Sequence, residues 1–518
     1  MNRAITERLD DCLTARGAHL FIEDVDAMDL IERFGSPLFV FSEDQLRRNV
    51  RSYKDSFGAG WSCGPSMILP AVKTNWTLAV QRILASEGCG ADTYSPGELE
   101  IALRAGMPVR YISVNGVPKD EDHIARTLKL GARLTIDSLA DVVSLEKLAP
   151  SLDNVAPVAI RLRPMLGQYH RRSDFAPDGP LPTDLVAAAY KGGLSLSEAI
   201  EAARRVRRLD NVELVGFHQH HGRHRPETEY WAAQMTAYAE DIAAVCDALG
   251  GYRPQEVDIG GGFAIPRDPH NAATDYGAPY QMAALYGLSW ALHKLGSRLR
   301  YKVLEPLLGL ASDSPNAAPA PSIADYARVV TRTLMEQLHR RGVDPEGVML
   351  QVEPGRSVHG NAGVHLATVR ATKRRDAPLP WTHVTVDTTE FWLTGGRYER
   401  HLHDYRVANK IGAPNSIQAD VCGRSCYGDR LMGGVPLPEI STGDVIAFLD
   451  TGAYQEVSCS NFNAMPRPAA VLVQGDDAWV IRERESIEDV LRRDRVPEHL
   501  AGDAAEPARK RSLERVAL

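Results

Sequence analysis

Short apolar runs that end in polar or glycine-rich residues recur along the first 350 positions. MILPAVK (67–73), GADTYS (90–95), YISVNG (111–116) and RLTIDS (133–138) each predict a β-strand, as do VAIRLRP (158–164), LVGFHQHH (214–221), EVDIGGG (256–262) and MLQVEPGR (349–356). Helix-period segments lie between the early ones. In GELEIALRAGM, for example, Leu99, Leu103 and Met107 fall on one face. Strand–helix alternation at a period of roughly 20–25 residues predicts right-handed βαβ units and a parallel sheet. Eight strands are the number that closes a (β/α)8 barrel. An open doubly wound sheet has the same rhythm, so the period alone leaves both open.

Beyond position 383 the pattern changes. HVTVDTTEFW (383–392), SIQADVCG (416–423), DVIAFLDTGAY (444–454), AAVLVQ and AWVIRE read as strands separated by turns, with few helices between them. That predicts a second, mostly antiparallel β domain over 383–490. The segment 1–45 contains another strand, GSPLFVFS (35–42), that is available to join it. The barrel is expected over 46–382, with an irregular insert at about 267–320. A charged, Ala/Pro-rich tail follows from 491 and reads as mobile.

Composition acts mainly by exclusion. There are 59 basic and 67 acidic side chains, a net charge of −8, which argues against nucleic-acid binding. No apolar run reaches the ~18–20 residues of a membrane span. Seven cysteines, an odd number spread over a long chain, fit reduced thiols in a cytoplasmic protein.

The candidate chemistry sits at the carboxyl ends of the strands, where a barrel places its active site. Lys73 ends strand one; a lysine in a dry mouth has a lowered pKa and forms imines. Gly260, Gly261 and Gly262 end strand seven, where bare backbone can approach a phosphate, or simply turn. Glu353 precedes the Gly355–Arg356 turn after strand eight, and an inward carboxylate there needs a cationic partner such as a protonated pyridine nitrogen. His218 and His220 share a face in FHQHHGRH. They read as a metal pair, as a ring stacked on a cofactor, or as packed core. Together the lysine, glycines, imidazole and carboxylate make a kit for pyridoxal 5'-phosphate.

The ordered motifs AVKTNWTLAVQRILASEGCGADTYSPGELEIALRAGMP, VNGVPKDEDHI, FHQHHG, VDIGGGF, VEPGRSV, CGRSCYGD and GDVIAFLDTGAYQEVSCSNFNAMPRP resemble the fold-type III pyridoxal phosphate decarboxylases, the diaminopimelate, ornithine and arginine decarboxylase group. The resemblance spans about residues 35–475. It implies Lys73 as the Schiff-base lysine, His220 as the ring-stacking histidine, and Gly260–Gly262 with Gly355, Arg356 and Tyr454 around the phosphate. It further implies Glu353 on the pyridine nitrogen. Cys426 would protonate the α-carbon from the partner subunit, in a homodimer with shared sites acting on a small-molecule amino-acid substrate.

The chain also departs from the family pattern. Arg223 stands where a serine is usual, Arg424 where a proline is usual, and Tyr427 where an acid is usual, with Asp429 one position closer than that family's following acid. Two added guanidiniums and a lost acid point to a larger or anionic, non-standard amino acid. A racemase on the same fold and a metal-dependent hydrolase using His218, His220 and Asp258 are the alternatives.

Overall fold

The computed structural model describes residues 11–166, 191–220, 226–265, 288, 291–292, 320–376, 381–394 and 403–500. Arg223, most of the 267–320 insert and the tail beyond 500 lie outside them.

All eight expected strands form, at Ser66–Ile68, Ala91–Thr93, Ile112–Val114, Arg133–Ile136, Ala156–Arg161, Val212–His218, Glu256–Asp258 and Met349–Val352. Their pairings are parallel, in the order one, eight, seven, six, five, four, three, two. Strands one and two close the ring through the parallel bridge between Ala71 and Asp92, with the Gly90 amide donating to the Ile68 carbonyl at 3.0 Å. The architecture is therefore the barrel and not the open sheet.

The connecting helices begin and end where local chemistry directs. Ser95, Asp120 and Ser138 cap them by accepting from the amides of Glu98, His123 and Asp141. Gly106 and Gly131 end the first two in the left-handed region, at φ 87° and 72°. Each N-cap contributes about 1 kcal/mol. Between the ring and its helices Leu134, Ile136, Val158, Ile160, Val257 and Leu350 are fully buried, in one cluster with Leu128, Leu145 and Val330, and each such side chain stabilises the fold by ~1.5–3 kcal/mol. Phe263, directly after the glycine run, packs between Trp231 (4.4 Å between ring centroids), Tyr326 (5.1 Å) and Phe57 (5.8 Å). This aromatic cluster pins the end of the strand-seven loop to helices Glu43–Gly60, Thr228–Ala248 and Ile323–Arg340.

The β domain is a mostly antiparallel sheet. Its order is Arg430–Leu437, Ile417–Cys422, Trp381–Val386, Gly363–Arg375, Leu38–Ser42, Ala469–Gln474, Asp477–Arg482, with Tyr405–Val407 and Val445–Phe448 paired alongside. Leu38–Ser42 thus sits inside this sheet, with Gly363 opposite Phe41. The long strand Gly363–Arg375 corrects the expected boundary at 383: it belongs to the sheet, which begins about twenty residues earlier (363 against 383). Its first seven residues are all buried and its last six all exposed, so no single alternation marks it in the sequence. A smaller three-stranded sheet, Leu13–Arg16, His19–Ile22 and Val25–Asp26, precedes the barrel. Among the described residues, no helix is long and apolar enough to cross a membrane.

Candidate active site

Lys73 lies in a single tight turn, Val72–Thr74, just past strand one. Its Nζ donates to Asp92 Oδ2 at 2.8 Å, at the end of strand two. Asn115, past strand three, donates from the same Nδ2 to Asp92 Oδ1 (2.9 Å) and to Glu353 Oε1 (2.5 Å). A continuous chain, Lys73–Asp92–Asn115–Glu353, therefore runs around the mouth of the ring and places the lysine and the strand-eight acid in one compartment.

The expected depression of the lysine is reversed. Burial alone would lower its pKa, but Asp92, Tyr454 and Glu353 outweigh it and hold the ammonium above its ordinary value. Asp92, although buried, is correspondingly held below the usual carboxylate range by Lys73 and Asn115. Glu353 goes the other way: burial first, and then the charge of Asp92, push it up to about 8, against the opposing pull of Lys73 and Arg133. A buried acid in that state is short of positive charge, and a pyridinium N–H would supply it.

His218 and His220 do not act as a pair. His218 is buried with Nε2 3.2 Å from Glu353 Oε2, and burial depresses its pKa to about 3. His220 Nδ1 accepts the Gly261 amide at 3.2 Å, and burial, then Lys73 and Arg161, push its pKa well down. A neutral, flat imidazole held by its Nδ1 suits stacking on a ring. His218, Asp258 and Glu353 do offer ligand atoms within 4.8 Å of one another. Asp258, however, is engaged by Arg133 at 2.6 Å and by the Gly260 amide at 2.9 Å, so a metal would compete with a guanidinium, and His220 is not in the set.

The glycines mark a cradle. Gly260 and Gly262 have φ 67° and 101°. A Cβ on Gly261 would sit 2.0 Å from the Glu353 carbonyl, and one on Gly355 would meet Thr74 Oγ1 at 2.8 Å and Tyr454 Oη at 3.1 Å. Thr74 Oγ1 is buried with no hydrogen-bond partner among the described residues. Tyr454 enters from the β domain, its amide donating to the Thr74 carbonyl at 2.8 Å and its ring 5.1 Å from the buried Arg356 guanidinium. Bare backbone, a hydroxyl, a phenol and a guanidinium converging at one end, with an amine and a proton-hungry acid at the other, fit pyridoxal phosphate.

Cys426 stands elsewhere, exposed on the loop between strands Ile417–Cys422 and Arg430–Leu437. Asn463 holds it at two points: its Oδ1 accepts the Cys426 amide at 3.0 Å and its Nδ2 donates to Sγ at 3.1 Å. Tyr427, also exposed, lies edge-on to Phe391 at 5.9 Å, which stacks on Phe462 at 4.0 Å. Arg424 is exposed on the same loop. Asp429, expected from sequence near the substrate, is engaged by its own loop. It is buried, and its carboxylate accepts from the amides of Ser425 (2.6 Å) and Glu390 (2.7 Å) and from Thr389 Oγ1 (3.1 Å), which shapes the loop. Asp92, Asn115, Thr74 and Arg133 were not singled out by sequence. The available signal was a polar residue inside, or just after, an otherwise apolar strand.

This fold and site define a class: barrel enzymes that bind pyridoxal phosphate at the carboxyl ends of their strands. The family described as pyridoxal-dependent decarboxylase, pyridoxal binding domain, matches residues 43–360. The chain belongs to that family and is a pyridoxal phosphate-dependent carboxy-lyase. It is similar to the diaminopimelate decarboxylase of Methanothermobacter thermautotrophicus, 29% identical over 93% of this chain and 97% of the relative. It is similar also to that of Bacillus subtilis, 26% identical over 92% and 95%. Among solved structures, diaminopimelate decarboxylase from M. jannaschii in complex with L-lysine superposes with a TM-score of 0.78 at 25% identity, covering 95% of this chain and all of that one.

Proposed function

We propose that the protein removes one carboxylate of diaminopimelate as carbon dioxide, in a homodimer whose two sites are each completed by Cys426 of the partner subunit. The observation that carries the reading is the chain Lys73–Asp92–Asn115–Glu353. Bound pyridoxal phosphate supplies an aldehyde for Lys73 and a conjugated ring that takes up the electron pair left when carbon dioxide departs. The residues do the rest. Asp92 keeps the Lys73 amine in place, Glu353 holds a proton on the ring nitrogen, and His220 covers the ring. The exposed Cys426 thiol, oriented by Asn463 and flanked by solvent-facing Tyr427 and Phe462, suits delivery of a proton across a subunit interface.

The larger or anionic substrate expected from sequence gives way to diaminopimelate, the substrate named for relatives that match nine-tenths of the chain. Of the residues behind that expectation, Arg223 lies outside the described residues and Asp429 is committed to its own loop. Diaminopimelate carries a carboxylate as well as an ammonium at its far end, which gives Arg424 a partner without an anionic substrate.

Two measurements test the reading. Carbon dioxide release from diaminopimelate, with lysine as co-product, should exceed release from lysine or ornithine by about 10²-fold or more in kcat/KM, because an analogue without the far carboxylate leaves polar groups unpaired. Faster turnover of either diamine would overturn the substrate. Mixing Lys73→Ala chains with Cys426→Ala chains should restore about a quarter of wild-type activity, since half the dimers are mixed and each mixed dimer has one intact site. No recovery on mixing would show that each site is built from one chain.

A further inference from the structure

Arg133 opens strand four with its side chain almost wholly enclosed, 4% exposed. A guanidinium inside a barrel of apolar strands is costly unless every donor is used. Here it reaches across the ring to strand seven: Nη2 to Asp258 Oδ2 at 2.6 Å and Nη1 to Glu256 Oε1 at 2.8 Å. Nε and Nη2 also donate to Ser113 Oγ on strand three, at 3.1 and 2.6 Å. Asp258 in turn lies beside Glu353 and His218. The floor under the mouth thus gathers four acids, Asp92, Glu256, Asp258 and Glu353. Against them stand Lys73 and Arg133, with Arg161 near the two histidines and Tyr238 Oη donating to the Asp258 carbonyl at 3.0 Å.

The two cations are not equivalent. Lys73 must deprotonate to bond the cofactor's aldehyde, and its nitrogen would gain and lose protons as that bond forms and breaks, so it is not a constant counter-charge. Arg133 never deprotonates, and its enclosed guanidinium is committed to Ser113, Glu256 and Asp258.

We propose that Arg133 is a positioning residue that acts through Asp258 and Glu353 on the ring nitrogen of pyridoxal phosphate: by carrying the counter-charge of both strand-seven acids, it leaves Glu353 as the acid that shares the ring-nitrogen proton. Without it, the crowded carboxylates take up a proton among themselves, and the acid that receives it no longer stabilises a protonated ring. The inference rests on the pairing of Glu353 with that nitrogen.

The test uses the full-length holoprotein loaded with pyridoxal 5'-phosphate labelled with ¹⁵N in the ring. Arg133→Met paired with Glu256→Gln removes one cation and one acid together, so the cluster's net charge and the fold are kept. Arg133→Lys keeps the charge alone. The double variant should move the ring-nitrogen resonance from its protonated towards its unprotonated position and lower kcat roughly ten-fold with KM little changed, while Arg133→Lys stays near wild type. Thermal melts separate these effects from loss of fold, which would leave the resonance of the folded fraction unmoved. A wild-type resonance in the folded double variant overturns the inference. If Glu353→Gln also leaves the resonance unmoved, the pairing of Glu353 falls with it; if Glu353→Gln shifts it, only the role of Arg133 is lost.

Discussion

Lys73→Ala is expected to lose carbon dioxide release by roughly 10³-fold or more, because the residue proposed to tether the cofactor and handle its protons is gone, and proton handling alone is worth ~10²–10⁴. The same change leaves Asp92 buried without its ammonium, keeping only Asn115. The lysine side chain is 42% exposed, so the loss of the pair is screened and costs about 1–2 kcal/mol, below the value for a fully enclosed pair. Lys73→Arg separates the two effects. A guanidinium keeps the charge opposite Asp92 but does not deprotonate to form a bond with an aldehyde. It should therefore melt close to wild type and be as inactive as the alanine variant, with added pyridoxal phosphate keeping the absorption of the free aldehyde. Retained activity in Lys73→Arg would remove the lysine from its assigned role.

Glu353→Gln is expected to have opposite effects on activity and stability. Removing the charge that pairs the ring nitrogen lowers kcat by ~10²–10³, the usual cost of losing one aimed electrostatic partner. The cofactor-free protein, however, gains stability at alkaline pH. In the folded chain burial, then the charge of Asp92, raise this acid to about 8 from an ordinary value of 4.5. A carboxyl whose pKa is raised on folding binds its proton more tightly in the folded state. Its contribution is complete below the ordinary value and is lost as the pH climbs through about 8. Glutamine has no such proton to lose. Melts of the two cofactor-free proteins should coincide near pH 5 and separate by pH 8–9, with Glu353→Gln the higher by about a degree for each kcal/mol, on the order of 1 kcal/mol or more. Asp258, raised by burial and by Glu353 to about 6, leaves a smaller decline in both. Coincident melts across the whole range would show that Glu353 ionises without strain and is not waiting for a cation. A large gain in stability on removing a functional charge is the expected signature of an acid kept for binding.

Much of the ring was legible because its signal is local. An apolar run of four to six residues bounded by a turn signal is a buried strand wherever it occurs, and all eight appeared where the pattern placed them. Lys73, His220, the glycine run and Glu353 stood out because each interrupts or ends such a run. Strand Gly363–Arg375 did not stand out, since half of it is enclosed by neighbours and half faces water. In the sequence Asp429, an acid after a catalytic-type cysteine, looks available for substrate; only the tertiary structure shows its carboxylate accepting from the amides of Ser425 and Glu390.

From the order of residues alone came the alternating α/β rhythm, the cofactor class and the side chains at the strand ends, because these depend on neighbours within a few positions; closure of the ring came with the bridge between Ala71 and Asp92. Charge states and partnerships came only with the tertiary structure. Asp92 is 19 residues from Lys73, Asn115 is 238 from Glu353 and Asp258 is 125 from Arg133. Curling the sheet into a ring brings them within hydrogen-bond reach, with at least one partner of each pair taken out of water, and there distance decides which amine stays charged and which acid keeps its proton.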